Sequence, residues 1–148
     1  MKRMNTAIRF TLGCILCSLM LSASGQDAKS YKEGPVTELS YIKIKSGKFD
    51  DYMKFLDTSY KALMEENKKA GLILGYKVYA AQARSPREAD LILATTYANM
   101  AALDKADEGE AVAVKVLGSS DAQNKATMAR EAMREVLGSE LIRELILK

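Results

Sequence analysis

Two β-prone segments in the middle of the chain constrain its fold most, because both are apolar on both faces. Residues 72–82 (LILGYKVYAAQ) and 89–98 (ADLILATTYA) flank a turn-forming Ser-Pro pair, which predicts a β-hairpin. A strand with one wet face alternates apolar and polar residues. These segments do not alternate, so the sheet that contains them needs apolar cover on both sides.

The most regular pattern in the chain predicts a helix over residues 49–70. Two acidic residues favour its N-terminus, two lysines favour its C-terminus, and Gly71 supplies the stop. Apolar residues recur at steps of three and four, which places them on one helical face. They are Phe49, Tyr52, Met53, Leu56, Tyr60, Leu63 and Met64.

A first strand is predicted over residues 36–45 (VTELSYIKIK), after a polar leader, residues 26–35, that we expect to be flexible. After the hairpin, Asn99 is predicted to cap a short helix that Gly109 interrupts. The segment that follows, residues 110–118, is compatible with helix or with irregular structure.

The C-terminal part predicts one more helix and a final strand. Ser120 and Gln123 form a capping-box pattern, and Gly138 ends the helix that they open. The tail, residues 139–148, has a period that also suits a continued helix. We favour a strand because Gly138 breaks the helix and the sheet needs a closing element.

This order of elements is the ferredoxin-like βαββαβ plan, an α+β fold in one domain over residues 36–148. Its two helical regions lie on one face of a four-stranded antiparallel sheet. The other face would be an apolar patch larger than monomers usually expose. We therefore expect a homodimer that buries it. The alternative is that residues 109–118 or the leader fold over this face.

The first 25 residues are typical of a secretory signal peptide. Basic residues precede an apolar run over residues 10–21, and small residues follow through Gly25. As a helix this run spans roughly 18 Å, well short of the roughly 30 Å hydrocarbon core, so a membrane anchor is the weaker interpretation. We expect cleavage before Gln26, a periplasmic or secreted bacterial protein, and no membrane attachment afterwards.

The rest of the chain lacks the residue types on which many catalytic and metal sites depend. The sequence has no His, and both cysteines, Cys14 and Cys17, lie in the predicted signal peptide. This excludes Ser-His-Asp and Cys-His nucleophile systems, ordinary zinc sites and Fe–S clusters. Without the signal peptide the charges balance, which argues against a nucleic-acid partner. We expect no cofactor and no metal ion.

Three segments resemble the dimeric α/β-barrel superfamily. They are TELSYIKIKSGKFDDYMKFL, ADLILATTYANMAALD and REVLGSELIRELILK, and the resemblance spans residues 36–147. It is closest to uncharacterised exported bacterial proteins and more distant from antibiotic-biosynthesis monooxygenases and NIPSNAP-type domains. The resemblance implies the fold and the dimer but no activity, because the superfamily spans many functions. Its haem-binding members use a proximal His, which this sequence lacks.

Tyrosines on the predicted strands are the candidate ligand-binding residues, since a phenol packs by its ring and hydrogen-bonds at its tip. In the related cofactor-free monooxygenases, polar groups in the barrel orient an aromatic substrate that itself activates oxygen. The resemblance implies that Tyr79, Tyr97 and Arg143 line such a cavity. The full set is Tyr41, Tyr76, Tyr79, Tyr97 and Arg143. Aromatic residues on strands more often pack in the core, and that interpretation is favoured. No catalytic residue is assigned.

Three classes of function remain. We favour an exported protein that is non-enzymatic or binds a small apolar or aromatic ligand in a cavity of the dimer. The alternative is a cofactor-independent monooxygenase-like enzyme that acts on a small aromatic or quinone-like compound. A purely structural or protein-interaction module would have no cavity.

Overall fold

A computed structural model of the chain describes residues 29–148. The predicted signal peptide and its cleavage point before Gln26 lie outside these residues. The four strands are β1 (Tyr31–Ile44), β2 (Gly75–Ala80), β3 (Leu91–Tyr97) and β4 (Arg134–Leu147). The helices are α1 (Phe49–Phe55), α2 (Lys61–Lys69), α3 (Ala106–Leu117) and α4 (Ser120–Met133). A π-helical segment, Leu56–Tyr60, joins α1 to α2, and a 3-10 helix, Met100–Asp104, precedes α3.

The strands form one antiparallel sheet in the order β2-β3-β1-β4. With the helices between β1 and β2 and between β3 and β4, this is the predicted ferredoxin-like plan, which is therefore confirmed. The helix predicted over residues 49–70 and the hairpin of β2 and β3 are also confirmed. Among residues 29–148, no helix is both long and apolar enough to cross a bilayer.

The hydrophobic core lies between the sheet and the helix of α1 and α2. Its buried members are Ile42, Tyr52, Leu56, Leu91 and Leu93. The predicted apolar stripe of the helix supplies two of them, because its period points these side chains at the sheet. By contrast, α3 and α4 contain no buried residue. They pack at the side of the helical layer, where the Lys115 ammonium of α3 contacts the Glu66 carboxylate of α2.

The predicted flexible leader is wrong for residues 31–35, which belong to β1. Tyr31 pairs with Leu147 and Glu33 pairs with Leu145. The cause is the length of β4, whose C-terminal half offers a partner strand that a local pattern cannot reveal. The ribbon of β1 and β4 extends past the end of β3, whose last pair joins Tyr97 to Val36.

The predicted break at Gly109 is also wrong, because α3 continues through it to Leu117. One glycine inside a helix costs only about 1 kcal/mol, which the flanking helix formers tolerate. The ambiguous residues 110–118 are thus helical, and the helix ends at Gly118, whose φ of 88° is one that glycine adopts readily.

The last helix and strand meet earlier than predicted. The N-cap of α4 is Ser119, whose hydroxyl accepts from the Ala122 amide, and not Ser120. The helix ends at Met133, and β4 already begins at Arg134. Gly138 therefore lies inside the strand, beside a register shift where β1 advances one residue and β4 two. At such a bulge glycine marks an irregular strand rather than a helix end.

Candidate ligand-binding site

The strand register places the predicted site residues on opposite faces of the sheet. Tyr76 and Tyr97 lie on the face that the helices cover, where the Tyr76 ring meets the Tyr60 ring edge-on at 5.8 Å. Tyr41 and Tyr79 lie on the face without helices, here called the open face. Tyr41 on β1 and Tyr79 on β2 both pair with Ile92 of β3. The structure thus does not bring Tyr79 and Tyr97 to one cavity.

Arg143 lies on the same face as Tyr97, because both residues pair with Val36, but within residues 29–148 no hydrogen bond joins the two side chains. It pairs with Val36 near the extended end of β1, and its guanidinium contacts the Glu33 carboxylate. That ion pair is partly exposed to solvent and links the two strands of the ribbon. Its place in the structure is at the sheet edge, on β4.

A cavity of about 340 Å³, here called the inner cavity, lies between the sheet and the helical layer. Its walls come from β1, β3, α2, the 3-10 helix and α3, and Met64, Leu72, Ile73 and Leu103 make them largely apolar. Its main polar side chains are Glu38, Asn67, Thr95, Tyr97 and Lys105. An apolar cavity with a few convergent polar groups is the usual form of a small-molecule site.

The most unusual group in the inner cavity is the Glu38 carboxylate. Among residues 29–148 it forms no ion pair. The Tyr97 hydroxyl donates to its Oε2 at 3.4 Å, which is a long and weak hydrogen bond. Burial, reinforced by the negative charge of Glu38, raises the pKa of Tyr97 to about 12. Tyr97 therefore stays a neutral donor, and Glu38 keeps acceptor capacity for another partner.

Tyr76 is held outside the inner cavity. Its hydroxyl donates to the Glu65 carboxylate at 2.8 Å. Burial and this hydrogen bond raise the pKa of Tyr76 to about 12. Burial also raises the pKa of the neighbouring Tyr60. The Tyr76 hydroxyl is thus satisfied, as expected of a core tyrosine, whereas the Tyr60 hydroxyl is buried and has no hydrogen-bond partner within residues 29–148.

Tyr41 lies in a second concavity, the open-face groove, of about 550 Å³. Its hydroxyl donates to the Glu140 carboxylate, and this bond raises the pKa of Tyr41. The rim consists of exposed residues of the β2–β3 loop, such as Gln82 and Arg84. Tyr79 is not among the lining residues. The groove is wide and solvent-exposed, so it encloses a small ligand less completely than the inner cavity.

Glu38 is not among the site residues predicted from the sequence, although its position in β1 sets it apart. Val36, Glu38, Ser40 and Ile42 share one face of β1, and both Val36 and Ile42 are fully buried. A charged residue between two core positions departs from the apolar pattern of this face. Asn67 and Lys105 carry no such signal. Within residues 29–148 no group of three or more acidic, His or Cys side chains could hold a metal ion.

No protein-family model matches the sequence, and no curated protein matches it. Solved structures are similar to it at low identity. HapK from Hahella chejuensis is 15% identical with a TM-score of 0.49, over 74% of this chain and 91% of HapK. SO0527 from Shewanella oneidensis is 13% identical with a TM-score of 0.49, over 78% of this chain and 98% of SO0527.

A chlorite dismutase-like protein, TA0507, is 12% identical with a TM-score of 0.41, over 76% of this chain but 44% of that protein. These similarities concern the α+β fold alone, whose assignment here rests on the strand order. They do not single out the monooxygenases, the NIPSNAP-type domains or the exported proteins that the sequence resembles.

Proposed function

We propose that this protein binds a small, mostly apolar compound with a hydroxyl or similar donor, such as a phenol, in the inner cavity. The observation that carries the proposal is the Glu38 carboxylate, which is half-buried, lines a largely apolar cavity and forms no ion pair within residues 29–148. A charge in such surroundings is costly unless it is hydrogen-bonded, and a ligand donor would supply the bond. The cavity volume lies in the range of small-ligand sites.

Binding is tested by titrating a panel of phenols and hydroquinones and following backbone amide shifts by NMR. We expect the largest shifts at residues that line the inner cavity. Glu38→Gln keeps the side-chain size but removes the charge, so affinity should fall about tenfold or more, as for a lost bond to a charged group. Glu140→Gln, a carboxylate also bonded to a tyrosine but on the open face, is the matched control and should bind normally.

Two results would contradict this assignment. One is equal affinity of wild type and Glu38→Gln for every compound that binds. The other is a set of shifts confined to the open-face groove, which would move the ligand to Tyr41 and Glu140. A wild-type protein that binds nothing in the panel or in host extract would argue against a ligand-binding role.

A cofactor-independent monooxygenase-like activity is the second candidate, and Glu38 also favours it. When oxygen takes an electron from a bound hydroquinone, the hydroxyl proton of the hydroquinone becomes acidic, and the Glu38 carboxylate is placed to accept that proton. Oxygen uptake with a panel of hydroquinones separates the two candidates. An enzyme consumes oxygen in a Glu38-dependent manner, whereas a binding protein binds the same compounds without uptake.

We also infer that the protein is a homodimer formed through the open face. Within residues 29–148 neither alternative cover lies on this face, because residues 31–35 belong to β1 and α3 packs on α2. Apolar side chains stay exposed on the open face, including Tyr79 at 47% and Ile142 at 46%. A second copy is the simplest cover for such a face. Light scattering should give twice the mass of the processed chain.

Export is proposed from the sequence of the first 25 residues, whose charge and apolar pattern are those of a signal peptide. Mass spectrometry of protein from a fractionated bacterial host tests this. We expect a chain that begins at Gln26 in the periplasm or the medium. Full-length protein in the cytoplasm would contradict export.

A further inference from the structure

Two arginines at the junction of α4 and β4 lie against a pair of stacked aromatic rings. The Arg130 Cζ is 5.7 Å from the Phe55 ring centroid, and the Arg134 Cζ is 5.6 Å from that of Tyr52. The two rings are 5.9 Å apart and nearly parallel, at 17°. A guanidinium that stacks on a ring keeps the N–H donors along its edge available.

The hydrogen bonds of these arginines leave donor capacity unused. Arg134 Nη1 donates to the Tyr52 hydroxyl at 2.9 Å, and Arg130 Nη2 donates to Thr127 Oγ1 at 2.7 Å. Within residues 29–148 neither guanidinium forms an ion pair. The Arg130 Nε is buried and has no hydrogen-bond partner in the described part of the chain.

Both arginines line a groove of about 460 Å³, here called the arginine groove. Lys45 also lines it, and its ammonium donates to the Glu131 carbonyl oxygen at 2.6 Å. The groove contains two carboxylates as well, those of Glu131 and Glu135. Lys45, Arg130 and Arg134 outnumber these two carboxylates, so the groove has a net positive charge. It shares no lining residue with the inner cavity.

We propose that the arginine groove binds the phosphate group of a small molecule through Arg130, Arg134 and Lys45. Arginine forks match the oxygens of phosphate, and such charge-assisted bonds are stronger than neutral ones. A bound phosphate would offset the repulsion between the two guanidiniums that line the groove. Burial, together with that repulsion, lowers the pKa of Arg130. The groove is larger than one phosphate, which leaves room for an organic group.

The proposal is tested by calorimetric titration of the whole processed protein with inorganic phosphate and with phenyl phosphate, at constant ionic strength. Sodium chloride at the same ionic strength is the reference. Tighter binding of phenyl phosphate than of inorganic phosphate identifies a phosphate monoester as the ligand. Equal affinities identify the free phosphate ion. Heat no greater than that of chloride overturns the proposal.

Substitutions then locate the site. Arg130→Gln and Lys45→Gln should each weaken phosphate binding about tenfold or more, because each removes a charged donor. Arg130→Lys keeps the charge but loses the fork, so its affinity should be intermediate. Arg134 is left unchanged because its bond to Tyr52 also supports the core.

The matched control is Arg87→Gln, an exposed arginine in the β2–β3 loop, which should bind phosphate like wild type. Circular dichroism verifies that each variant is folded. If Arg130→Gln does not fold, the phosphate affinities of Lys45→Gln and Arg130→Lys still show whether phosphate binds in this groove. Unchanged phosphate affinity in the folded variants would overturn the assignment to this groove.

Discussion

At the scale of single residues, Asp90 joins the start of β3 to the end of β1. Its Oδ1 accepts from the Lys43 ammonium and its Oδ2 accepts from the Ile44 amide, both at 2.8 Å. Its own amide donates to the Ile42 carbonyl at 2.8 Å. We predict that Asp90→Asn lowers the free energy of unfolding by about 1–2 kcal/mol, because it weakens two bonds to a charged acceptor. Urea unfolding at pH 7 measures this.

The pH dependence of this loss has a definite sign. The hydrogen bond from Lys43 lowers the pKa of Asp90 in the folded protein. Its stabilisation is therefore fully present above the unfolded-state pKa of roughly 4 and is lost as pH falls through the folded-state pKa. Wild type and Asp90→Asn should converge in stability at low pH. Asp104→Asn, in the exposed 3-10 helix, is the control and should match wild type throughout.

The sequence predicts which residues share a face only when those residues lie on the same strand. Alternation along β1 puts Glu38 on the face of Ile42, so that carboxylate was accessible to sequence reasoning. The faces of Tyr79 and Tyr97 depend on the register between two strands, in which Tyr79 pairs with Ile92. The irregular loop between β2 and β3 sets that register, and the sequence of the loop does not reveal which residues pair. The prediction that Tyr79 and Tyr97 line one cavity is therefore wrong, because the two side chains lie on opposite faces of the sheet.

At the scale of elements, we expect alanine substitutions of two glycines, Gly71 and Gly75, to have opposite effects on stability. Gly71 ends the helix with a φ of +71°, whereas Gly75 begins β2 at a φ outside the left-handed region. An added Cβ meets no atom within 4 Å at either position, so only the backbone conformation distinguishes them. Gly71→Ala should cost about 1 kcal/mol or more of stability. Gly75→Ala should be neutral or slightly stabilising, because it restricts the unfolded chain.

Thermal unfolding of both variants tests this pair. A Gly71→Ala protein as stable as wild type would mean that the end of α2 relaxes to an ordinary backbone conformation. A large loss in Gly75→Ala would show that the edge strand β2 has a partner at that position. The two substitutions add the same atoms, so each serves as the control for the other.

Elements with a strong local period were predictable, and those set by long-range pairing were not. The helix over residues 49–70 follows from its apolar stripe, and Asn99 caps the 3-10 helix as its sequence indicates. By contrast, β4 begins at Arg134, before Gly138, because β1 continues to Ile44 and offers it a partner. The pairing of two 14-residue strands outweighs the local preference of a single glycine.

At the scale of the whole molecule, apolar burial is concentrated on one side of the sheet. Within residues 29–148 the largest fully buried side chains are those of Tyr52, Ile42 and Val36. The outer half of β4 remains exposed on both faces, in Leu141, Ile142, Leu145, Ile146 and Leu147. A long, apolar edge strand is a surface that proteins normally cover or pair. The predicted order of elements already implies this uncovered apolar surface, since two helical regions can cover only one face of the sheet.

If a second copy covers the open face, dimerisation and stability must be coupled. Ile142→Glu puts a charge on that face, so the variant should be monomeric by light scattering and melt at a lower temperature. Met128→Glu, at a position on α4 that is 70% exposed, is the matched control and should remain dimeric. The melting temperature of wild type should fall on dilution, as mass action requires, while that of Ile142→Glu should not. A wild-type particle with the mass of one chain, and a melting temperature independent of concentration, would show that the open face is stable in water.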